Sequence, residues 1–497
     1  MNRYSPRVLA IAIDAAEPRL IRQMLEQDQL PALKSLVSQG KLVDVKAPAD
    51  VGSGAIWPTF ITGEDPGVHG IYGEWCWQPA GMNLIRYQGR DLVPFWKTLV
   101  AAGITVGILD LPFMPMLGLA TGFEISEWAP HDVLEGRMRV APEKVEPLIT
   151  KLPEHALSSG RLGSSGPDNS ETLGSLASGC LEGIKIRGQL AQQLLQETRP
   201  HFALITFTET HRCGHFLWHT VDPQNEIYRK QELANLSTVR PTLKDLYSEV
   251  DRQIGGLLRM VSEDTAVFVF SLHGMRPAHG APTFLGPLLC ERGFARLATW
   301  KELSWRERAT ALLAAVKRQS PRALKRLYYK TLPATTTQRL ARPTMLPAYD
   351  WSRTRAFALP TDQHGWIRVN LQGREANGIV PLEEYDGVCR ELEQVLRSLT
   401  TEEGKRLVRE VLRTADHGED ALSRRIPDLI VHWESAIFAS RLRIEGSLIQ
   451  PDAVSSKYTG QHALKGFCIF KGVDAEVGDV LAAKDMGRLM SANVHHL

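Results

Sequence analysis

The sequence predicts an α/β fold: a mostly parallel sheet flanked by helices on both faces, with an inserted helical element. Three observations point to it. Short apolar runs alternate with amphipathic segments through the first half, each run is closed by a polar residue, and 497 residues are enough for one large core. Strands covered on both faces read as continuous apolar runs rather than as an alternation, which is the pattern met here.

The first run, Val8 to Ile13, is closed by Asp14 and is too short for a signal h-region, so a buried strand is expected. Pro18 suits the first turn of a helix, and apolar residues at helical spacing continue through Val37 up to Gly40. Further strands are expected at Ile104 to Leu109, Ala203 to Phe207 and Ala266 to Phe270, closed by Asp110, Thr208 and Ser271. Ligands of open α/β sheets gather outside the carboxyl ends of the strands, so the chemistry is expected at these endings.

The stretch from Leu157 to Gly179, rich in Ser and Gly, reads as a surface connection. From Trp300 to about Arg342 the pattern turns helical and basic, with Lys317, Arg318, Arg322, Lys325, Arg326 and Lys330 on what reads as a solvated face. Strand character returns at Ala356 to Leu359, Trp366 to Asn370 and Leu429 to His432. The expected organisation is therefore a catalytic α/β domain in two parts, residues 1–299 and 346–497, split by a helical, basic insertion at 300–345. The second part is expected to complete the sheet.

Composition narrows the function. A net charge of +2, with 23% charged and 43% hydrophobic residues, speaks against disorder and against global polyanion binding. Aromatic interleaving in the basic segment is limited to Tyr328 and Tyr329, so nucleic acid is an unlikely partner. No apolar stretch approaches the roughly 20 residues needed to span a bilayer. Six scattered cysteines without a C-x-x-C pair fit reduced thiols in a cytoplasm.

Potential metal ligands are spread over the whole length: Asp14, Ser53, His211, His215, His273 and His462. Oxygen and imidazole groups gathered at strand ends are what a metal-assisted hydrolase needs. Small residues around Ser53 let a helix N-terminus present its hydroxyl and backbone N–H groups to an anion. A carboxylate would make chemical sense beside His273, where Leu272 stands instead.

Ser53 lies nine residues before Thr62 in the run Thr62-Gly63-Glu64-Asp65-Pro66-Gly67-Val68-His69-Gly70. With Asp14 and the later segments Trp351 to Ala356, Val369 to Glu375, Pro427 to Val431 and Thr459 to His462, this resembles the alkaline phosphatase superfamily. The branch is that of type I phosphodiesterases and nucleotide pyrophosphatases, and the likeness covers nearly the whole chain.

The resemblance implies an alkaline phosphatase-like fold, phosphate ester hydrolysis and two bound metal ions, usually zinc. It makes Ser53 the nucleophile, with Gly54 offering backbone N–H groups to the substrate. One ion is implied at Asp14, Ser53, Leu272 and His273, and the other at His211, His215 and His462.

Two departures stand out, because Leu272 and His211 replace carboxylates. Leucine cannot coordinate, so the first site is expected to be empty, weak, or completed by Glu209 or His279. The three-histidine site remains a sound zinc site. His69 is expected to serve packing and turn hydrogen bonds. The expected activity is hydrolysis of phosphodiesters or phosphomonoesters, with a small anionic substrate as partner. The alternatives are a repurposed biosynthetic enzyme acting on a transfer or non-phosphate substrate, and a lapsed scaffold that only binds a ligand.

Overall fold

The computed structural model describes residues 6–87, 89–129, 138–157, 170–223, 239–278, 284–305, 345–361, 363–414, 420–434, 442–444, 447–449 and 458–495, with scattered positions between 308 and 336. Nine strands form the main sheet. From one edge to the other they are Val480–Ala482, Lys41–Lys46, Lys465–Lys471, Ala266–Ser271, Val8–Ile13, Phe202–Phe207, Val106–Leu109, Phe123–Ser126 and Arg139–Ala141. Val8–Ile13 runs parallel to both of its neighbours, with Val8 opposite Phe202 on one side and Ala266 on the other. Lys465–Lys471 and the edge strand Arg139–Ala141 run antiparallel to their neighbours, so the sheet is mixed but mostly parallel, in agreement with the expected class.

The central strand shows why this sequence folds so. All six residues of Val8–Ile13 are buried. Val8, Ala10 and Ala12 pack in one hydrophobic cluster and Leu9, Ile11 and Ile13 in another, because successive side chains of a strand point to opposite faces. On the first face lie Ile56 and Phe60 of the helix Ser53–Thr62 and Met486 and Met490 of the helix Ala483–His495. The second face is covered by the helices Pro18–Glu26, Pro31–Gln39, Ser170–Thr198 and Leu243–Leu258.

Three expectations need correction. The single helical pattern up to Gly40 is two helices, each with proline at its start, because Pro31 cannot continue a helix and Asp28 turns the chain with φ of 57°. The Ser/Gly stretch is not wholly a connection: from Ser170 onward it is the first part of a 29-residue helix, whose small residues pack closely on its neighbours. Gly183 admits the His155 ring and Gly188 the Gln253 side chain at distances that no Cβ would permit. Residues 158–169 of that stretch, and most of the basic segment 300–345, lie outside the described residues.

Finally, Ala356–Leu359, Gly365–Val369, Leu429–Trp433 and Val408–Arg413 do not return to the main sheet. They build a separate four-stranded antiparallel sheet. Apolar runs this short carry no mark of which sheet they join. Among the described residues of this part, Lys465–Lys471 and Val480–Ala482 are the strands that complete the main one.

Candidate active site

The helix Glu209–Leu217 follows the strand Phe202–Phe207 directly, so its first turn stands at a strand's carboxyl end. His211 and His215, four apart, share one face of it. A two-stranded ribbon supplies the third imidazole: Gly460–His462 pairs antiparallel with Met275–Pro277, and His462 lies opposite Met275. The ribbon is pressed onto the helix. A Cβ on Gly460 would meet the Gly214 carbonyl oxygen at 2.2 Å, and Thr459 N–H donates to the His215 carbonyl at 2.7 Å.

Ligand atoms of His211, His215 and His462 all lie within 4.8 Å of one another. Nε2 of His211 is 3.0 Å from Nε2 of His215 and 2.7 Å from Nε2 of His462. The tautomers follow from the outer partners. His215 Nδ1 sits 2.9 Å from the Gly460 carbonyl, which can only accept, so Nδ1 carries the proton and Nε2 is a bare lone pair. His211 Nδ1 lies 3.1 Å from the Asp14 carboxylate, an ion-pair contact that favours a proton on that nitrogen. With both outer nitrogens protonated, two lone pairs would face each other at 3.0 Å, an arrangement that a cation between them would stabilise. Burial, then the proximity of His211, drives the His215 pKa well below its ordinary value, so the ring stays neutral as metal ligation requires. These residues could hold a metal ion.

The other implied ion position has lost a ligand. Leu272 is 1% exposed and belongs to the hydrophobic core. The Asp14 carboxylate already accepts from the Trp57 indole N–H at 3.1 Å and faces His211 with its second oxygen. Glu209 is fully buried against Arg187 at 2.9 Å and His155 at 3.2 Å, and His279 lies outside the described residues. His273 is held by its backbone: Ser271 Oγ donates to its carbonyl at 2.7 Å and accepts from Ala16 N–H at 3.0 Å. Its ring stands edge-on to His462 with centroids 4.6 Å apart. Neither ring nitrogen of His273 has a hydrogen-bond partner among the described residues. Burial lowers its pKa to about 4.

Ser53 opens the helix Ser53–Thr62, with Gly52 before it. The first N–H groups of a helix lack intrahelical partners and favour an anion there. Ser53 and Gly54 line a cleft of about 460 Å³ with His211, His215, His273 and His462. Trp57, Trp75, Phe113, Trp366 and Tyr458 supply apolar walls, and Arg212 and Glu74 supply charge.

The segment before Ser53 is fixed from the second sheet. Three ring N–H groups donate to three successive carbonyls: His364 Nε2 to Ala49 at 2.7 Å, His432 Nε2 to Asp50 at 2.8 Å, and Trp366 Nε1 to Val51 at 2.8 Å. Gly54 passes so close to Gly73 that a Cβ there would come within 2.5 Å of its Cα.

His69 accepts from Ile71 N–H on Nδ1 at 3.1 Å and faces Thr59 Oγ1 with Nε2 at 3.0 Å, the turn role expected of it. Sequence reasoning passed over Trp57, Arg212, His364, Trp366, His432 and Tyr458. Trp57 carried a usable signal, since it lies one helical turn after Ser53. Tyr458 directly precedes the Thr459-Gly460-Gln461-His462 segment. His364, Trp366 and His432 act through backbone carbonyls, and such contacts leave no spacing pattern.

The fold and this arrangement define a member of the alkaline phosphatase superfamily, a phosphohydrolase by class. More particularly, the family profile described as type I phosphodiesterase / nucleotide pyrophosphatase matches residues 8–441, and the chain belongs to that family. Among solved structures it is similar to phosphonoacetate hydrolase from Sinorhizobium meliloti 1021 in complex with phosphonoformate, at 14% identity and a TM-score of 0.52. That likeness covers 99% of this chain and 96% of the other. The same hydrolase with phosphonoacetate gives 15% identity and 0.52 over equal shares. Human ectonucleotide pyrophosphatase / phosphodiesterase 5 gives 13% and 0.44, covering 98% and 94%. No curated protein sequence matches the chain. Among the described residues no helix is long and apolar enough to cross a membrane.

Proposed function

We propose that this protein is a phosphate ester hydrolase with one principal metal ion, held by His211, His215 and His462, and with Ser53 as nucleophile. The observation that carries it is the convergence of three imidazole Nε2 atoms, drawn from a helix and a distant ribbon, on the cleft that Ser53 opens into. A nitrogen-only ligand set of this kind favours zinc. When bound, the ion supplies Lewis-acid charge and acidified water.

The chain's own residues do the rest. The helix N-terminus at Ser53 and Gly54 receives the phosphoryl oxygens through backbone N–H groups. Ser53 Oγ forms a bond to phosphorus as the leaving alkoxide departs, and attack of water on the phosphoserine returns the free hydroxyl. Arg212 gives the cleft a positive charge for a small anionic substrate, and the aromatic walls suit an apolar ester group. His273 stays neutral through burial and is available at the cleft as an acceptor. All six cysteines are free, which supports a reducing, cytoplasmic setting.

The experiment pairs metal analysis of the purified protein with turnover of an aryl phosphate diester and monoester. The expected result is about one zinc per chain, lost in His462→Ala, and turnover that Ser53→Ala lowers by about 10³-fold or more while its zinc content stays. Absence of both metal and turnover with any added divalent ion would sink the reading.

A further inference from the structure

The cleft contains an interaction that the two-ion arrangement does not anticipate. In that arrangement Asp14 would be a ligand of the ion beside Ser53. Here both of its carboxylate oxygens lie beside side chains. Oδ1 accepts from Trp57 Nε1 at 3.1 Å, Oδ2 lies 3.1 Å from His211 Nδ1, and the carbonyl of the same residue accepts from Thr210 Oγ1 at 2.6 Å. Asp14 is 1% exposed, so these contacts are made away from bulk water. His211 thus has one nitrogen in ion-pair contact with that carboxylate and the other toward His215 and His462.

His215 repeats the pattern, with the Gly460 carbonyl as its outer partner in place of a carboxylate. A histidine whose outer nitrogen donates to a carboxylate has its tautomer and ring orientation fixed and its inner nitrogen made more basic, which strengthens its hold on a metal. The substitution at position 211 supplies the reason for the change at Asp14. A carboxylate at 211 would offer no N–H to Asp14, and two adjacent carboxylates would need a second cation between them. An imidazole there removes one negative charge and supplies the proton that Asp14 can accept.

From this geometry we propose that Asp14 is a positioning residue for the three-histidine ion and not the ligand of a second one. The Asp14–His211 pair replaces the second metal ion as the neutralising element beside Ser53. Leu272 follows from the same logic, since with no ion on that side a carboxylate at 272 would be buried at an uncompensated cost. The inference rests on the single-ion reading above and adds the role of Asp14 to it.

The test uses full-length protein stripped of metal and titrated with Co²⁺, read by its visible absorption and by direct metal analysis. Wild type, Ser53→Ala and Asp14→Asn should each bind one ion per chain. Ser53→Ala should match wild type in affinity, and Asp14→Asn should bind about 10- to 100-fold more weakly. Asp14→Glu, which keeps an anionic acceptor, should recover part of that loss. A purely structural Asp14 would lower the melting temperature of the metal-free protein in Asp14→Asn and leave metal affinity unchanged, which overturns the proposal.

Two ions in wild type and one in Asp14→Asn would overturn it too, while leaving metal-dependent hydrolysis intact. No ion in wild type would remove the functional reading itself. A measurement free of any Asp14 variant is the nitrogen-15 histidine spectrum of the zinc-loaded wild type, with His211 assigned by its loss in His211→Gln. Protonated Nδ1 and metal-bound Nε2 are expected at His211, and the reverse assignment overturns the proposal.

Discussion

The indole N–H of Trp366 donates to the carbonyl of Val51 at 2.8 Å, two residues ahead of Ser53. Trp366 belongs to the second sheet and also meets Tyr72 edge to face, with centroids 5.0 Å apart. His364 lies two residues earlier, on the same side of the chain, and His432 comes from the neighbouring strand, where Val431 is opposite Gly365. Together they hold three consecutive carbonyls, so the position of Ser53 is set by a sheet that carries no metal ligand.

Trp366→Phe keeps most of the ring and removes the donor. The Val51 carbonyl would be left without its partner, at a cost of about 1–3 kcal/mol, and Ser53 would be free to shift. Turnover of an aryl phosphate diester should fall on the order of 10- to 100-fold, with zinc content unchanged. A rate within about twofold of wild type would mean that the bond does not position Ser53 for turnover.

Gly54→Ala places a methyl group 2.5 Å from Gly73 Cα, on backbone that cannot yield as a side chain end would. The start of the helix must move away. A comparable loss of turnover is expected, together with a destabilisation of about 1–3 kcal/mol typical of overpacking. Denaturant titration and steady-state kinetics check both.

Acid should weaken the metal-free protein before it affects an ordinary surface. The His273 pKa is held down to about 4 by burial, against 6.5 when unfolded, so below pH 6.5 the unfolded chain binds a proton that the native one refuses. The contribution of a neutral His273 is fully present above about pH 6.5 and is lost as pH falls toward 4, on the order of 3 kcal/mol from about 1.4 kcal/mol per pH unit. His215, also held low by burial, acts in the same direction. Urea unfolding at a series of pH values measures it, and His273→Asn should flatten that slope. An unchanged slope would refute the assignment.

Leu272→Asp would place a carboxylate in the hydrophobic core beside Phe270 and Trp57. An ionised carboxylate there would lose its hydration among apolar side chains. A loss of several kcal/mol is expected, about 3–5 if the charge stays uncompensated. Zinc in excess should still saturate at one ion per chain. Thermal melts with and without zinc, alongside metal analysis, decide the point.

Much of this was legible in the chain itself. The strand Val8–Ile13 could be read because a strand covered on both faces is apolar throughout, whereas His211 and His215 are singled out by the resemblance, which does not itself give the helix that puts them on one face. His462 was legible only through the longer motif around it, since nothing in the spacing ties it to residue 211. The four-stranded sheet could not be anticipated, because Ala356–Leu359 and Leu429–Trp433 are as apolar as any strand of the main sheet. The outer partners were hidden for a different reason. Gly460 and Val51 act through carbonyl oxygens, which every residue has.

The ribbon that pairs Met275 with His462 also sets the order in which the molecule can be completed. His211 and His215 emerge from the ribosome some 250 residues before His462 does, and the strand Val8–Ile13 must wait for Phe202 and Ala266 before it has either neighbour. The nascent chain therefore exposes a bare imidazole pair through about half of its synthesis. The three-histidine cluster can close only after residue 462 has been made and its ribbon has found its register.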